Sequence, residues 1–168
     1  MFRKLWGVVG LVVTMMAVSS GAHAQVWTAV AASGAIEYTA LNTYYTSSPA
    51  LAFRVGATGT VAAIYNVDNP RDTSSSPFWT NFEFTALNPG GSPGIYANAT
   101  LYRVARGAGG PVSSVCLLVA PATGATSTST CTFSSSLIDF TNYYYFVRVI
   151  LGRDSTSAIV AAYELRIY

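Results

Sequence analysis

The sequence predicts an all-β protein, a single antiparallel β-sandwich of jelly-roll type with about eight to ten strands. Short runs rich in β-branched and aromatic residues alternate with turns that contain Gly, Pro, Asn or Asp, at a spacing of about a dozen residues. In the last run, residues 157–168, apolar residues occupy alternate positions, and a strand with one apolar face needs a second layer to cover it. No long segment has the apolar period of a helix.

Residues 1–24 are predicted to be a cleaved secretory signal peptide. Arg3 and Lys4 precede an apolar run at residues 5–18, and the small residues Ala22 and Ala24 mark a cleavage site after residue 24. The apolar run is shorter than the roughly 20 residues that span a membrane. We therefore expect one mature domain, residues 25–168, without a membrane span, exported to the periplasm, the cell surface or the extracellular space.

The predicted mature chain is formally neutral. Arg3 and Lys4 are two of the nine basic residues, which leaves seven Arg against seven acidic residues. Nucleic acids and anionic membrane surfaces are bound mainly through clustered Lys and Arg, so neither is an expected partner. A net charge near zero also removes a barrier to self-association.

The predicted strands follow one another from residue 26. A polar stretch at residues 42–49 and a long loop at 68–77 interrupt the series, and residues 88–91 (Asn-Pro-Gly-Gly) form a strong turn. The last two strands are expected to pair as a closing hairpin around the turn at residues 152–156. The candidate strands are residues 26–32, 35–39, 51–55, 60–67, 78–87, 95–105, 112–120, 129–133, 143–151 and 157–168.

The tyrosine-rich strand near the end of the chain is apolar on both faces. Alternation assigns Tyr143 and Tyr145 to one face, and Tyr144, Phe146 and Arg148 to the other. We interpret this strand as central in its sheet, or as covered on its outer face by a partner.

The two cysteines, Cys116 and Cys131, are predicted to form a structural disulfide. In an exported protein, two cysteines form a disulfide more often than a redox or metal site. A two-residue turn centred on Thr123 and Gly124 would place the thiols opposite each other across one hairpin.

Few residues of the mature chain suit catalysis. Acyl transfer by a hydroxyl needs a base such as His or Lys, and His23 and Lys4 both fall in the predicted signal peptide. Paired carboxylates, as in glycosidases, are the enzymatic route left open. The candidates are Glu37, Glu83, Glu164 and Asp139. Since no paired pattern joins them, we expect a non-enzymatic protein and no cofactor.

A weak calcium hypothesis concerns the loop after residue 67. Asp68, Asn69 and Asp72 could supply the oxygen ligands that Ca²⁺ prefers. Their spacing matches no full calcium loop, and ordinary turn chemistry explains the same residues. No metal site is therefore expected.

The most suggestive binding residues lie in the segment 78–87. Alternation would send Phe78, Phe82 and Phe84 to the core and would expose Trp79 beside Asn81 and Glu83. An exposed Trp next to an amide and a carboxylate can stack on a sugar ring and hydrogen-bond its hydroxyls. The alternative is that Trp79 covers the second layer of the sandwich.

Two functional hypotheses of different classes follow. The first is a structural surface or matrix protein that associates with itself through β-rich segments that lack Lys to protect their edges. The second is a module that binds an extracellular glycan or small ligand through Trp79, Asn81 and Glu83. A carboxylate-based glycosidase is a third, weaker possibility.

Overall fold

The protein forms eleven β-strands in the part of the chain that the structure describes. A computed structural model describes residues 26–37, 44–47, 49–70, 76–107 and 109–168. Two short 3-10 helices, Ala31–Ser33 and Ser135–Leu137, lie between strands. The strands are β1 (Trp27–Val30), β2 (Ala35–Ile36), β3 (Tyr44–Ser47), β4 (Ala50–Phe53), β5 (Gly59–Val67), β6 (Asn81–Leu87), β7 (Tyr96–Ala105), β8 (Val112–Val119), β9 (Thr126–Thr132), β10 (Tyr143–Arg153) and β11 (Ala161–Ile167).

The strands form two antiparallel sheets, which confirms the predicted β-sandwich. The first sheet has the order β3-β4-β11-β6-β9, with β1 paired to β11, and the second has the order β2-β5-β10-β7-β8. Strand β3 lies within residues 42–49, which the sequence indicated as a polar connection, so that expectation is wrong. It pairs with β4 as a short hairpin. A polar segment can form a strand when a neighbouring strand offers backbone and side-chain partners, which local polarity does not reveal.

The core lies between the two sheets and is made of alternate residues from each. Phe82 and Phe84 of β6 and Leu165 of β11 are fully buried from the first sheet. Val147 and Val149 of β10 are fully buried from the second sheet. Side chains from two facing sheets thus bury the apolar face of every long central strand.

The expected closing hairpin between the last two strands is wrong. β10 pairs with β5 and β7 in the second sheet, whereas β11 pairs with β1, β4 and β6 in the first. Residues 154–160 carry the chain from one sheet to the other. Both arms are long and apolar, so burying each between two neighbouring strands removes more apolar surface from water than pairing them with each other would.

The alternation predicted for the last strand holds in its second half only. Leu165 and Ile167 are fully buried, as expected, but Ile159 is exposed and Ala162 is buried. The register between β11 and β6 shifts between Ala162 and Glu164. This bulge inserts one extra residue, so the strand positions before it point opposite to the predicted direction.

The disulfide between Cys116 and Cys131 is present, with a Cα–Cα distance of 6.4 Å. The predicted hairpin around it is not, because β8 lies at the edge of the second sheet and β9 at the edge of the first. The bond therefore joins the two sheets across one open side of the sandwich. A disulfide of this kind suits an oxidising compartment.

We expect the disulfide to contribute about 3 kcal/mol to the free energy of unfolding, because it closes a loop with a sequence separation of 15 residues. Urea unfolding of the oxidised protein and of the double variant Cys116→Ala, Cys131→Ala should differ by about this amount. A reductant should shift the wild-type midpoint and leave that of the double variant unchanged. Equal midpoints for oxidised and reduced wild type would contradict the prediction.

The predicted signal peptide, residues 1–24, lies outside the described residues, so its removal stays a prediction. Within the described ranges, no helix is long and apolar enough to cross a membrane.

Candidate functional site

Trp79 is fully buried, so the structure agrees with the alternative interpretation, in which this side chain is covered, and the exposed orientation is wrong. Phe78 is 72% exposed instead. The backbone N–H groups of Thr80 and Asn81 both donate to the carbonyl oxygen of Tyr168, each at 2.9 Å. Two consecutive residues thus oppose a single partner, and this irregularity places Trp79 on the same inner side as Phe82. The Trp79 ring packs edge-on against Phe140, with 5.9 Å between ring centroids.

The other two predicted site residues, Asn81 and Glu83, lie on the outer face of the first sheet. Thr132 Oγ1 donates to Asn81 Oδ1 at 2.9 Å, and Tyr168 Oη donates to Glu83 Oε1 at 2.7 Å. Arg166 Nη1 lies 3.6 Å from Glu83 Oε2. The structure therefore does not bring Trp79, Asn81 and Glu83 together, and the two polar side chains are engaged with neighbours in their own sheet.

The remaining sequence candidates are dispersed. Glu37 lies beside the second sheet, and Glu83 and Glu164 belong to strands of the first. The carboxylate of Asp139 accepts hydrogen bonds from Asn142 and from the N–H of Thr141, and the side-chain bond from Asn142 lowers its pKa.

Of the calcium candidates, Asp68 and Asn69 follow β5, and Asp72 lies outside the described residues. The described part of the chain contains no group of three His, Cys, Asp or Glu side chains that could hold a metal ion.

A different surface concentrates aromatic and polar groups, the outer face of the second sheet. As alternation predicted, Tyr145 and Val147 point to the core, whereas Tyr144, Phe146 and Arg148 point outward. We call this surface the aromatic face. It comprises outward side chains of β5, β7, β8 and β10 together with Glu37: Thr60, Tyr96, Asn98, Thr100, Tyr102, Leu117, Val119, Tyr144, Phe146, Arg148 and Ile150.

Two aromatic side chains of the aromatic face form a stacked pair. Tyr102 of β7 and Phe146 of β10 are cross-strand partners, with ring centroids 5.1 Å apart and an interplanar angle of 20°. Both are half-buried. The guanidinium of Arg106 lies 4.4 Å from the centroid of the neighbouring Tyr144 ring. The rings at this end are thus held in place by each other and by a cation.

A two-bond ion pair occupies the middle of the aromatic face. Arg148 Nε donates to Glu37 Oε1 at 2.7 Å, and Arg148 Nη2 donates to Glu37 Oε2 at 2.9 Å. The hydrogen bond from Arg148 holds the pKa of Glu37 below its usual range, and the carboxylate raises the pKa of Arg148. The pair is rigid and carries no net charge, yet both groups retain further hydrogen-bonding capacity.

Asn98 adds an unsatisfied polar group next to the ion pair. Its row across the sheet contains Ile150 of β10 and Val119 of β8. The Asn98 Oδ1 atom is shielded and accepts no hydrogen bond from the described residues. Buried polar atoms are normally hydrogen-bonded. If the Asn98 side chain rotated toward a ligand, its amide oxygen could accept a hydrogen bond from that ligand.

Tyr96 lies at the opposite end of the aromatic face from Phe146. Its cross-strand partner is Gly152, and a Cβ atom at that position would overlap the Tyr96 ring. The ring therefore lies across the sheet above Gly152, and its Oη is 3.5 Å from Thr60 Oγ1. Gly152 is six positions from Phe146 in β10, which corresponds to about 20 Å of strand.

Sequence reasoning did not identify the aromatic face. It assigned the outward side chains of β10 correctly but could not pair that strand with β7, because the two belong to distant parts of the chain. The available signal was that both segments carry aromatic residues at outward positions, Tyr96 and Tyr102 in one and Tyr144 and Phe146 in the other.

Comparison with known proteins shows similarity of fold. No protein-family model and no curated protein matches the sequence. Among solved structures, the xylan-binding module CBM15 is 14% identical, covers 86% of this chain and 95% of its own, and has a TM-score of 0.49. A structure described as "CBM4 structure and function" is 18% identical, with coverages of 71% and 82% and a TM-score of 0.41.

A family two carbohydrate esterase from Cellvibrio japonicus is 12% identical over 85% of this chain and 33% of its own, with a TM-score of 0.39. Structures of infectious bursal disease virus match as well. The TM-scores of these matches all lie below 0.5, and the matches assign the chain no function.

Proposed function

We propose that the protein is an exported, non-enzymatic glycan-binding module and that the aromatic face is its binding surface. The observation that carries this proposal is the arrangement of half-buried aromatic rings and unsatisfied or charged hydrogen-bonding groups on one outer face of the sandwich. The C–H surface of a sugar stacks on aromatic rings, and its hydroxyl groups pair with carboxylates, guanidinium groups and amides.

The two outer faces of the sandwich differ in a way that supports this assignment. On the first sheet, polar side chains bond one another, as in the 2.8 Å contact between Thr85 and Thr128 and the Asn81–Thr132 pair. On the second sheet, aromatic rings and the aliphatic side chains of Leu117 and Val119 are exposed or half-buried. An apolar surface interrupted by a few fixed polar groups is typical of ligand-binding sites.

The balance of charge restricts the kind of ligand. The mature chain that we predict has seven Arg and seven acidic residues, and the central pair of the face, Arg148 and Glu37, is itself neutral. Recognition in the middle of the aromatic face therefore depends on stacking and hydrogen bonds to uncharged hydroxyl groups. The self-association predicted from the sequence stays a prediction, which light scattering of the mature protein would test.

The test is retention on a panel of polysaccharides with variants of the stacked pair. Tyr102→Ala and Phe146→Ala should each weaken binding to the retained polysaccharide about tenfold or more, because each removes part of a stacking surface worth about 1 kcal/mol beyond buried area. Tyr168→Ala, which removes an aromatic ring from the outer face of the other sheet, is the matched control and should bind as wild type does.

Melting temperatures measured in parallel would exclude unfolding as the cause. The panel contains a β-glucan, a xylan, a mannan, chitin, polygalacturonate and alginate. If none of these polymers retains the wild-type protein, the proposed function is wrong. Equal losses in the stacked-pair variants and in Tyr168→Ala would show that the aromatic face is not the binding surface.

A further inference from the structure

A shallow depression lies at the end of the aromatic face. Its walls include Thr58, Thr60, Gly94, Tyr96, Arg153 and Asp154, and its volume is about 480 Å³. Thr60 and Tyr96 flank Gly152 on the two neighbouring strands, and Asp154 follows two residues later in the chain. The depression therefore continues the aromatic face beyond the end of β10.

Two glycines allow the functional groups of the depression to take their positions. A Cβ at residue 152 would overlap the Tyr96 ring, and a Cβ at residue 94 would lie 2.6 Å from Asp154 Oδ2. Neither glycine has a positive φ, so the lack of space rather than the backbone conformation excludes a side chain. The aromatic ring and the carboxylate are thus both packed directly on backbone.

The carboxylate of Asp154 is oriented but not neutralised. The hydroxyl of Ser92 donates to Asp154 Oδ2 and accepts the N–H of Gly94 at 3.2 Å. Asp154 is exposed and makes no ion pair within the described ranges. The adjacent Arg153 is turned inward, where its guanidinium donates to backbone carbonyl groups. The depression therefore combines an aromatic platform with a carboxylate that makes no ion pair with a described side chain.

We propose that this depression is a sugar subsite that makes the aromatic face selective for neutral glycans over glycans that carry carboxylate groups. This inference rests on the proposed glycan-binding function. The Tyr96 ring stacks on one sugar residue, and the Asp154 carboxylate accepts hydrogen bonds from its hydroxyl groups. A sugar carboxylate at the same place would face the carboxylate of Asp154, which no ion pair neutralises among the described residues, and this like charge opposes its binding.

The experiment compares retention on neutral polysaccharides (a β-glucan, a xylan and a mannan) with retention on polygalacturonate and alginate, at low salt. It uses wild type and five variants, one of which is Phe146→Ala. Tyr96→Ala and Asp154→Ala should each weaken binding to the retained neutral polymer about tenfold. Asp154→Asn keeps a hydrogen-bonding group without the charge, so it should narrow the preference for neutral over acidic polymers severalfold. Glu164→Gln neutralises a carboxylate on β11 of the first sheet, away from the aromatic face, and should behave as wild type.

The outcomes separate this subsite from the function of the whole face. If wild type binds a neutral polymer and loses binding in Phe146→Ala but not in Tyr96→Ala or Asp154→Ala, the subsite is wrong and the proposed function stands. Equal or tighter binding of wild type to the acidic polymers overturns the selectivity. If wild type binds no polymer of either kind, the proposed function and the subsite both fail.

Discussion

Replacement of Trp79 by alanine is expected to lower the free energy of unfolding by about 3–5 kcal/mol, which is the usual cost of removing a buried Trp or Phe side chain. Trp79 is fully buried and packs edge-on against Phe140, so the variant would lose the transfer free energy of the indole and leave a cavity in the core. Urea unfolding followed by circular dichroism measures the change directly.

The neighbouring residue provides a matched control. Phe78 is 72% exposed, and Phe78→Ala should change the free energy of unfolding by less than about 0.5 kcal/mol. A small effect of Trp79→Ala together with a large effect of Phe78→Ala would restore the inward and outward assignment that the sequence suggested. A loss of glycan retention in Trp79→Ala must be interpreted together with the stability of the variant, because partial unfolding destroys a binding site wherever it lies.

The second large effect is expected at Arg153, which is 6% exposed at the end of β10. Its Nε donates to the carbonyl oxygen of Ala57 at 2.7 Å, and its Nη2 donates to that of Arg54 at 2.9 Å. A longer bond of 3.4 Å joins Nη1 to the carbonyl of Ala158. The guanidinium also lies 5.0 Å from the centroid of the Phe53 ring.

These contacts connect the loop after β4 with the crossing between β10 and β11. Arg153→Met should therefore lower the free energy of unfolding by about 3 kcal/mol or more, since hydrogen bonds to a charged group contribute about 1.5–3 kcal/mol each and the partner carbonyl groups are left unpaired. Relief of the buried charge offsets part of this loss.

Arg166→Met is the control for removal of an arginine. Arg166 is more exposed, and its contact with Glu83 at 3.6 Å is a surface ion pair, which contributes about 0–1 kcal/mol. Urea unfolding measures both variants, and hydrogen exchange should show faster opening of residues 54–58 and 154–160 in Arg153→Met only. Equal stability of the two variants would show that the carbonyl contacts of Arg153 contribute little.

The two outer faces of the sandwich differ in how far their polar side chains are already hydrogen-bonded. This difference is why we place the binding site at Tyr102 and Phe146 rather than at Asn81 and Glu83. Both surfaces carry polar side chains, but on the first sheet Asn81, Glu83 and Thr85 already have hydrogen-bond partners. A ligand would have to compete with these internal hydrogen bonds. The aromatic face instead offers apolar area and an unpaired amide oxygen at Asn98, so a ligand gains contacts there at a smaller cost in free energy.

The sequence by itself determined the strand-forming segments, the sandwich class and the pairing of Cys116 with Cys131. These properties depend on local backbone preference, on the period-2 alternation within one strand and on the number of cysteines. The same alternation also assigned the inward and outward side chains of β10 correctly, because that strand is uninterrupted over its whole length.

Only the tertiary structure decided which sheet each strand joins and where Trp79 points. The inward turn of Trp79 depends on two amide groups that share the carbonyl of Tyr168, a residue far away in the sequence. The disulfide joins two sheets rather than the arms of one hairpin because β8 and β9 belong to different sheets. Strand pairing depends on how much apolar surface the whole arrangement buries, which a local pattern does not specify. The aromatic face exists because β7 and β10 become neighbours, and local sequence patterns do not specify that pairing.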